Sequence, residues 1–96
     1  MVLVMDARII DRVMYGKGLA ADPAFQALLI IIEPIPCFNG CPLGLYYHDT
    51  KTIVVPPDAD EATLLHELGH RYGDFYYHDL SEEFAEHFRM WYEQLN

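Results

Sequence analysis

The 96-residue sequence predicts a single α+β domain that spans residues 1–96. Apolar residues recur at helical spacing from Val4 to Tyr15, and an unbroken apolar, β-branched run over 28–32 indicates a buried strand, although so short a run is also compatible with a second helix. Two further apolar segments, 45–47 and 52–55, flank a polar turn as in a β-hairpin. Two amphipathic helical segments follow the hairpin. The order helix, strand, hairpin, helix, helix is that of an α+β domain with a small mixed sheet.

Glycine and proline mark the ends of the N-terminal elements. Gly16-Lys17-Gly18 ends the first helix, and Asp22-Pro23 starts a turn or a short helix. Pro34 and Pro36 end the strand. The segment 36–44 is rich in proline and glycine, so we expect a loop there.

A capping box predicts where the third helical segment begins. Asp58 is followed by Glu61 three residues later, which is typical of a helix start. The apolar pattern continues to about Tyr72, and Gly73 is the expected left-handed stop.

The last helix is predicted to begin after Asp79 or Ser81, either of which can cap it. Its apolar stripe is formed by Phe84, Phe88, Trp91 and Leu95. Both C-terminal helices are therefore expected to pack against one core.

Composition and charge exclude several classes of partner. The chain has six Lys and Arg against fifteen Asp and Glu, a net charge of −9 with His neutral. Nucleic acids and anionic membrane surfaces bind clustered Lys and Arg, so neither is an expected partner. The longest apolar run, 27–32, is far shorter than the ~20 residues of a membrane span, and the N-terminus lacks the features of a signal peptide. We therefore expect a cytoplasmic protein in which Cys37 and Cys41 are reduced loop thiols, with a facultative pair between them as the alternative.

The most informative residues are His66-Glu67-Leu68-Gly69-His70. Two histidines four positions apart lie on one face of a helix, with Cβ atoms roughly 5–6 Å apart, so both imidazoles can reach one ion. Zinc is the expected ion because it binds imidazole nitrogen in tetrahedral sites. Glu67 lies on the same side and can take a proton from metal-bound water, whose pKa zinc lowers toward ~7. Gly69 weakens the helix, which indicates a close packing contact at that position.

A catalytic zinc usually has three protein ligands, and the last helix offers the third. Glu82 borders the apolar stripe of that helix, whereas Glu83 points away from it, so Glu82 is the predicted ligand. Glu86, one turn further on, can accept a hydrogen bond from the outer nitrogen of a ligand histidine. We therefore expect one zinc ion per chain, held by His66, His70 and Glu82.

The histidine motif, followed by Glu82-Glu83-Phe84-Ala85-Glu86-His87-Phe88-Arg89-Met90, resembles the gluzincin metallopeptidases. This second segment is similar to the glutamate helix of lethal-factor-like and Pro-Pro endopeptidases and of the aminopeptidase N family. In those families the first Glu of the E-x-x-A-E pattern is the zinc ligand, which corresponds to Glu82, and the next acid, corresponding to Glu86, supports a ligand histidine. The resemblance covers about residues 45–92. It implies a small zincin-like fold in which the strand before the active-site helix pairs with an extended peptide substrate.

Some features of this chain depart from those families. The spacer of eleven residues between His70 and Glu82 is short, as in compact single-domain members. The motif with which aminopeptidases hold a free amino terminus is absent. Lethal-factor-like enzymes place an oxyanion-stabilising tyrosine shortly before the glutamate helix. Tyr76 and Tyr77 lie near that place and are the candidates here, although Phe75 occupies the matching offset.

A second resemblance is to the peptide deformylases. Gly18-Leu19-Ala20-Ala21, Gly40-Cys41 and the histidine motif follow one another in the order of the three deformylase motifs. This resemblance implies an amidohydrolase with Cys41 as third zinc ligand and a formylated amino terminus as substrate. The intervals are shorter here, and Gln26 is displaced from the expected position. Pro42 has no N–H with which to bind an oxyanion.

The sequence thus predicts a minimal zinc metallopeptidase in which Glu67 is the general base and then carries the proton to the leaving amine. Its expected partner is a peptide or protein substrate. So short a chain forms a shallow cleft, which predicts weak or narrow activity, or a cleft completed by a partner or by a second copy in a homo-oligomer. The alternative from another class is a non-catalytic module in which zinc stabilises the two C-terminal helices and the surface binds a partner.

Overall fold

The computed structural model describes residues 7–37 and 40–94, and its helices and strands follow the predicted order. The elements are α1 (Ala7–Asp11) with a π-helical turn (Arg12–Gly16), a 3₁₀ turn (Leu19–Ala21), α2 (Pro23–Gln26), β1 (Leu29–Ile32), β2 (Leu45–Tyr47), β3 (Thr52–Val55), α3 (Glu61–Tyr77) and α4 (Glu82–Glu93). The chain is therefore an α+β protein, as predicted.

The sheet is mixed, with β3 between β1 and β2. β1 runs parallel to β3, whereas β2 and β3 pair antiparallel and form the predicted hairpin. β3 is buried along its whole length, but Leu29 of β1 is 56% exposed and the rest of β1 is half-buried. The prediction of a strand at this place is confirmed, while the prediction that it is buried is wrong, because β1 lies at an edge of the sheet.

The core lies between one face of the sheet and the helices. Ile53 and Val55 of β3 are fully buried against Leu64, Leu65 and Leu68 of α3. These three leucines come from one side of α3, so their burial determines which side of the helix faces away from the sheet. That other side carries His66 and His70.

The start of α3 differs from the predicted one. Asp60, not Asp58, is the N-cap, and its Oδ1 accepts hydrogen bonds from the backbone N and the Oγ1 of Thr63, both at 2.9 Å. Pro56 and Pro57 follow β3 and end the hairpin. Both aspartates precede residues that can form a helix, and the tertiary position of the first turn decides between them.

The end of α3 is also later than predicted. The helix continues through Gly73 to Tyr77 and stops at His78, which has a left-handed conformation with φ of 53°. Gly73 lies inside the helix, and the segment that follows α3 packs closely against it. A Cβ at this position would overlap the carbonyl oxygen of Asp79 and lie 2.8 Å from Cδ1 of Phe84. The glycine thus permits a close approach and does not end the helix.

Helix α4 begins as predicted, with one change in its apolar stripe. Ser81 is the N-cap, and its Oγ accepts a hydrogen bond from the backbone N of Phe84 at 3.2 Å. Phe88 is buried, but Trp91 is 62% exposed. Tyr92, four residues after Phe88, packs on the core in its place, with ring centroids 4.6 Å apart. The predicted contribution of Leu95 lies outside the described residues.

The N-terminal segment forms less α-helix than predicted. Within the described residues α1 begins at Ala7, and the chain from Arg12 to Gly16 winds as a π-helical turn. The turn signal at Asp22 starts a short helix, since its Oδ1 accepts a hydrogen bond from Ala24 N at 2.9 Å. The predicted residues 4–6 of the first helix lie outside the described part of the chain.

The loop before β2 contains a disulfide between Cys37 and Cys41. The prediction of reduced thiols is therefore wrong for this structure, in which the two cysteines, four residues apart, form the pair that was the alternative. In the part of the chain described, no helix is both long and apolar enough to span a membrane.

Candidate metal centre

Two imidazoles lie side by side on the outer face of α3. His66 and His70 have ring centroids 4.9 Å apart, as expected for residues one helical turn apart. The side chain of His66 is 19% exposed and that of His70 is 10% exposed. Both rings are thus partly shielded from solvent and open on one side.

Helix α4 brings Glu82 to the open side of this pair. The Nε2 of His66 lies 2.7 Å from Oε2 of Glu82, and the Nε2 of His70 lies 3.2 Å from Oε1. One ligand atom from each of the three residues lies within 4.8 Å of the others. Two imidazole nitrogens and a carboxylate form a donor set that suits a catalytic zinc ion, which leaves a fourth position open. The three residues that the sequence predicted as ligands are therefore close together, and Glu83 is exposed beside them.

The close approach of α3 and α4 depends on Gly69. A Cβ at this residue would lie 2.9 Å from both Cα and O of Ala85, and 3.0 Å from Cβ of Phe88. Real Cβ atoms do not approach backbone atoms so closely, so only glycine allows α4 to lie where it does. The packing contact predicted from Gly69 is confirmed. It is also what brings Glu82 within reach of the histidines.

Glu86 of α4 holds Nδ1, the outer ring nitrogen of His66. Its Nδ1 lies 2.5 Å from Oε2 of Glu86, and Arg89 donates hydrogen bonds to both carboxylate oxygens of Glu86 at 2.9–3.1 Å. Arg89 also bonds Glu93 at 2.7 Å. The hydrogen bonds from Arg89, followed by the one with His66, lower the pKa of Glu86 to about 2. The chain Arg89–Glu86–His66 therefore orients the imidazole so that Nε2 faces Glu82.

The two imidazoles have pKa values shifted in opposite directions. Burial lowers the pKa of His70, and this outweighs its attraction to Glu82. Burial acts on His66 as well, but the hydrogen bond with Glu86 and the charge of Glu67 prevail and raise the pKa of His66. A metal ion binds neutral imidazole, so the raised pKa of His66 makes metal binding at this site more dependent on pH.

Glu67 is buried beside the histidines and is only 5% exposed. Burial raises the pKa of its carboxyl to about 7, although the neighbouring His66 lowers it. Its side chain packs against the loop before β2, where a Cβ on Gly44 would lie 2.9 Å from the Cγ of Glu67. A carboxyl group with a pKa near neutrality is suited to both accepting and releasing a proton.

A cavity of about 790 Å³ opens over this cluster. Its walls come from the loop before β2, from β2, from the first turns of α3 and from α4. The residues that line it are Leu43, Gly44, Leu45, Tyr46, His48, Asp60, Ala62, Thr63, His66, Glu67, His70, Leu80, Glu82, Glu86 and Arg89. The cluster is thus accessible to a ligand of the size of a short peptide.

Neither candidate tyrosine lines the cavity. The hydroxyl of Tyr76 donates a hydrogen bond to Oδ1 of Asp22 at 2.7 Å, and its ring packs 4.6 Å from that of Tyr72. Tyr77 is 63% exposed and lies beside Phe84. These positions differ from the expectation because α3 continues through Tyr77, which places both residues on the helix and not in the connection that follows it.

Tyr46, which was not among the candidates predicted from the sequence, lines the cavity. Its hydroxyl donates a hydrogen bond to Oδ2 of Asp74 at 2.7 Å and accepts a longer one from Nη1 of Arg71. Burial and the bond to Asp74 raise the pKa of Tyr46 to about 12, so the hydroxyl stays protonated. The gluzincin resemblance assigns the strand directly before the active-site helix to the cleft, and that strand is β3. This expectation is wrong, because β3 is buried between β1 and β2, and the strand that lines the cavity is β2, with Tyr46.

Cys41 is not part of this cluster. Its sulfur is bonded to Cys37, so it offers no thiolate to a metal ion. It is also absent from the residues that line the cavity. The deformylase resemblance implies Cys41 as the third ligand, but the structure brings Glu82, and not Cys41, to the two histidines.

Comparisons of this chain with protein-family models, with curated proteins and with solved structures found no match. The chemistry of the residues around the cavity therefore carries the functional conclusion.

Proposed function

We propose that this chain is a zinc-dependent metallopeptidase of the gluzincin type, with His66, His70 and Glu82 as the ligands of one zinc ion. One observation carries the proposal. The Nε2 atoms of both histidines converge on the carboxylate of Glu82 at 2.7 and 3.2 Å, at the wall of a cavity that Glu67 also lines. This donor set and the adjacent base together match what metal-assisted hydrolysis requires.

Each residue has a task in the reaction. Zinc, when bound, supplies a Lewis acid that polarises the substrate carbonyl and lowers the pKa of water. Glu67 takes a proton from the attacking water and passes it to the leaving amine. Glu86, which is held by Arg89, contacts Nδ1 of His66, so that Nε2 is the ring nitrogen turned toward the metal site. The peptide itself is expected along β2, an edge strand whose Leu45 and Tyr46 line the cavity.

A second candidate is the non-catalytic module in which the metal joins α3 to α4. It is favoured by one observation, that the ligand set spans these two helices. Against it, a purely structural site is usually closed by four protein ligands, whereas the group found among the described residues has three, and the side chain of Glu82 is 77% exposed. A structural site also has no use for a buried carboxylate beside its ligands.

The first test is the zinc content per chain, measured by elemental mass spectrometry after reconstitution. We expect one zinc ion in the wild type and in Glu83→Gln, and loss of zinc in Glu82→Gln. The Glu83 variant is the matched control, because it removes the same charge from the adjacent exposed position. Cys41→Ser is expected to keep its zinc, and a loss there would favour the deformylase-like ligand set. Absence of zinc from the wild type overturns the proposal.

The second test is hydrolysis of a peptide library by the zinc-loaded chain. We expect cleavage by the wild type and none by Glu67→Gln, with the zinc content unchanged in both. Equal cleavage by the two would contradict the role of Glu67. If the wild type holds zinc, unfolds when zinc is removed and cleaves no peptide, the non-catalytic module is the better account.

A further inference from the structure

Five aromatic rings form one connected surface where α3 ends and α4 begins. Neighbouring ring centroids in this group are 4.6–6.3 Å apart, and the residues are Tyr72, Phe75, Tyr76, Tyr77 and Phe84. We term these five residues the aromatic surface. None of them lines the cavity over the metal cluster. Single exposed aromatic residues are common, whereas a connected group of them is typical of a surface that binds a partner.

Three of these aromatic residues follow one another at the end of α3, at 75–77. Successive residues of a helix are about 100° apart around its axis, so the core can bury only part of such a run. Tyr72 is half-buried, with its ring 5.2 Å from that of Phe88 in the core, but Tyr77 is 63% exposed. The rings at 75–77 thus continue the aromatic packing outward into solvent, where exposed apolar area is unfavourable until a partner covers it.

Carboxylates border the aromatic surface. Oδ1 of Asp22 accepts a hydrogen bond from the hydroxyl of Tyr76 at 2.7 Å. The backbone carbonyl of Asp79 packs against Gly73 together with the ring of Phe84. The whole chain carries a net charge of −9. A cationic partner is therefore attracted both by the nearby acids and by the long-range field of the chain, and an anionic partner is repelled.

Arg71 shows how a cation binds one of these rings within the chain itself. Its guanidinium carbon lies 5.0 Å from the centroid of the Phe75 ring. The face of an aromatic ring carries partial negative charge, so it attracts a cation placed over it, and arginine makes this contact more often than lysine. Tyr76 and Tyr77 offer the same chemistry to a cation from outside, because they are 41% and 63% exposed.

We propose that the aromatic surface binds a basic segment of a partner protein, with arginine side chains stacked on Tyr76 and Tyr77 and close to the carboxylate of Asp22. Arginine and aromatic residues are enriched together in protein interfaces, which fits this pairing. A second copy of the chain carries the same negative charge, and it is repelled, as are nucleic acids and anionic membranes. This inference uses neither the metal ligands nor the general base, so it does not depend on the proposed peptidase function.

The test measures how tightly the full chain binds a short, fluorescently labelled peptide in which Arg and Gly alternate. Fluorescence anisotropy gives the affinity at about 0.15 M salt, where charges more than about 8 Å apart are largely screened. Matched peptides carry Lys, or the neutral arginine analogue citrulline, at every Arg position. We expect the Arg peptide to bind about threefold more tightly than the Lys peptide, because a guanidinium stacks on aromatic rings. We expect the citrulline peptide to bind about tenfold more weakly than the Arg peptide.

Variants of exposed tyrosines assign the binding to the aromatic surface. Tyr77→Ala should weaken binding of the Arg peptide about fivefold, whereas Tyr77→Phe keeps the ring and should keep the affinity. Tyr15→Ala is the matched control, since Tyr15 is 72% exposed but lies in the π-helical turn, outside the aromatic surface. Far-UV circular dichroism of each variant checks that the fold is retained.

A second pair of variants tests the charge beside the rings. Asp22→Asn removes the carboxylate next to Tyr76 but keeps a good N-cap for α2, so the fold is retained while the affinity falls about threefold. Asp58→Asn removes the same charge from an exposed position outside the aromatic surface, and it should leave the affinity unchanged.

Amide chemical shifts of the ¹⁵N-labelled chain locate the bound peptide, and we expect the largest changes within residues 72–84. Equal affinity for the citrulline peptide, an equal loss in Tyr15→Ala, or shift changes confined to the cavity residues would overturn the inference. Sedimentation that shows a dimer of the wild type, dissociated by Tyr77→Ala, would make a second copy the occupant and would also overturn it. These measurements need neither zinc nor hydrolysis, so their failure leaves the proposed peptidase function standing.

Discussion

Gly44 lies directly against the side chain of Glu67, so that a methyl group on Gly44 would be 2.9 Å from Cγ and 3.0 Å from Oε2 of the glutamate. The loop before β2 and the middle of α3 are distant in sequence, and this contact joins them at the proposed general base. The contact restricts the rotamers open to Glu67, because the backbone of Gly44 lies against its side chain. A small residue at position 44 is therefore part of how the base is positioned.

Replacement of Gly44 by alanine should displace Glu67 without removing the metal. We expect Gly44→Ala to keep one zinc ion per chain while kcat/KM for a cleaved peptide falls by about a hundredfold, since small misplacements of a catalytic group cost about that much. Zinc content and steady-state kinetics on the same sample are the measurements. Unchanged kinetics would mean that the carboxylate does not depend on this contact.

Gly69→Ala should separate α4 from α3. The added methyl group would meet the Ala85 backbone at 2.9 Å, and overpacking of this kind costs about 1–3 kcal/mol of unfolding free energy. Zinc affinity should also fall, because Glu82 moves with α4. Gly16→Ala is the control: its Cβ would meet nothing closer than Arg12 Cγ at 3.8 Å. Urea denaturation and zinc titration measure the two effects, and equal values for both variants would contradict the close contact.

Asp60→Ala should destabilise the chain, whereas Asp58→Ala should not. Loss of an N-cap costs about 1 kcal/mol, and only Asp60 bonds the first turn of α3. These bonds with Thr63 lower the pKa of Asp60 in the folded chain, so its stabilising effect is present above the unfolded pKa and is lost as the pH falls. Denaturation midpoints at about pH 6 and about pH 2 check this, because the difference between wild type and Asp60→Ala should shrink at the lower pH. A constant difference would argue against a charged cap.

The three tyrosines near the site should differ in their effect on hydrolysis. Tyr46→Phe removes the bond to Asp74 that holds the ring at the cavity wall, so we expect kcat/KM to fall about tenfold with zinc retained. Tyr76→Phe and Tyr77→Phe should leave hydrolysis unchanged, because neither residue lines the cavity. The measurement is kcat/KM of the three zinc-loaded variants. A loss confined to Tyr76→Phe or Tyr77→Phe would return the oxyanion role to the residues that the resemblance indicated.

Most of the fold follows from patterns that are local in sequence. The hairpin, the amphipathic helices and the pairing of His66 with His70 on one face depend on turn residues and helical spacing, which neighbouring residues determine. The helical-wheel position of Glu82 relative to Glu83 is local in the same sense. These features could therefore be predicted before any contact between elements was known.

What the sequence alone determined about this protein is its α+β class, a histidine pair on one face of a helix, and the position of Glu82 beside the apolar stripe of the next helix. The tertiary structure decided what depends on contacts between distant segments. Gly73 continues a helix because the Asp79 carbonyl and Phe84 lie against it, where local propensity indicated a stop. The two tyrosines are also positioned by distant partners. Tyr46, at the cavity, bonds Asp74, 28 residues away, and Tyr76 bonds Asp22, 54 residues away. The periodicity of the sequence indicates only which residues share a face of a helix or strand, whereas tertiary packing determines what that face contacts.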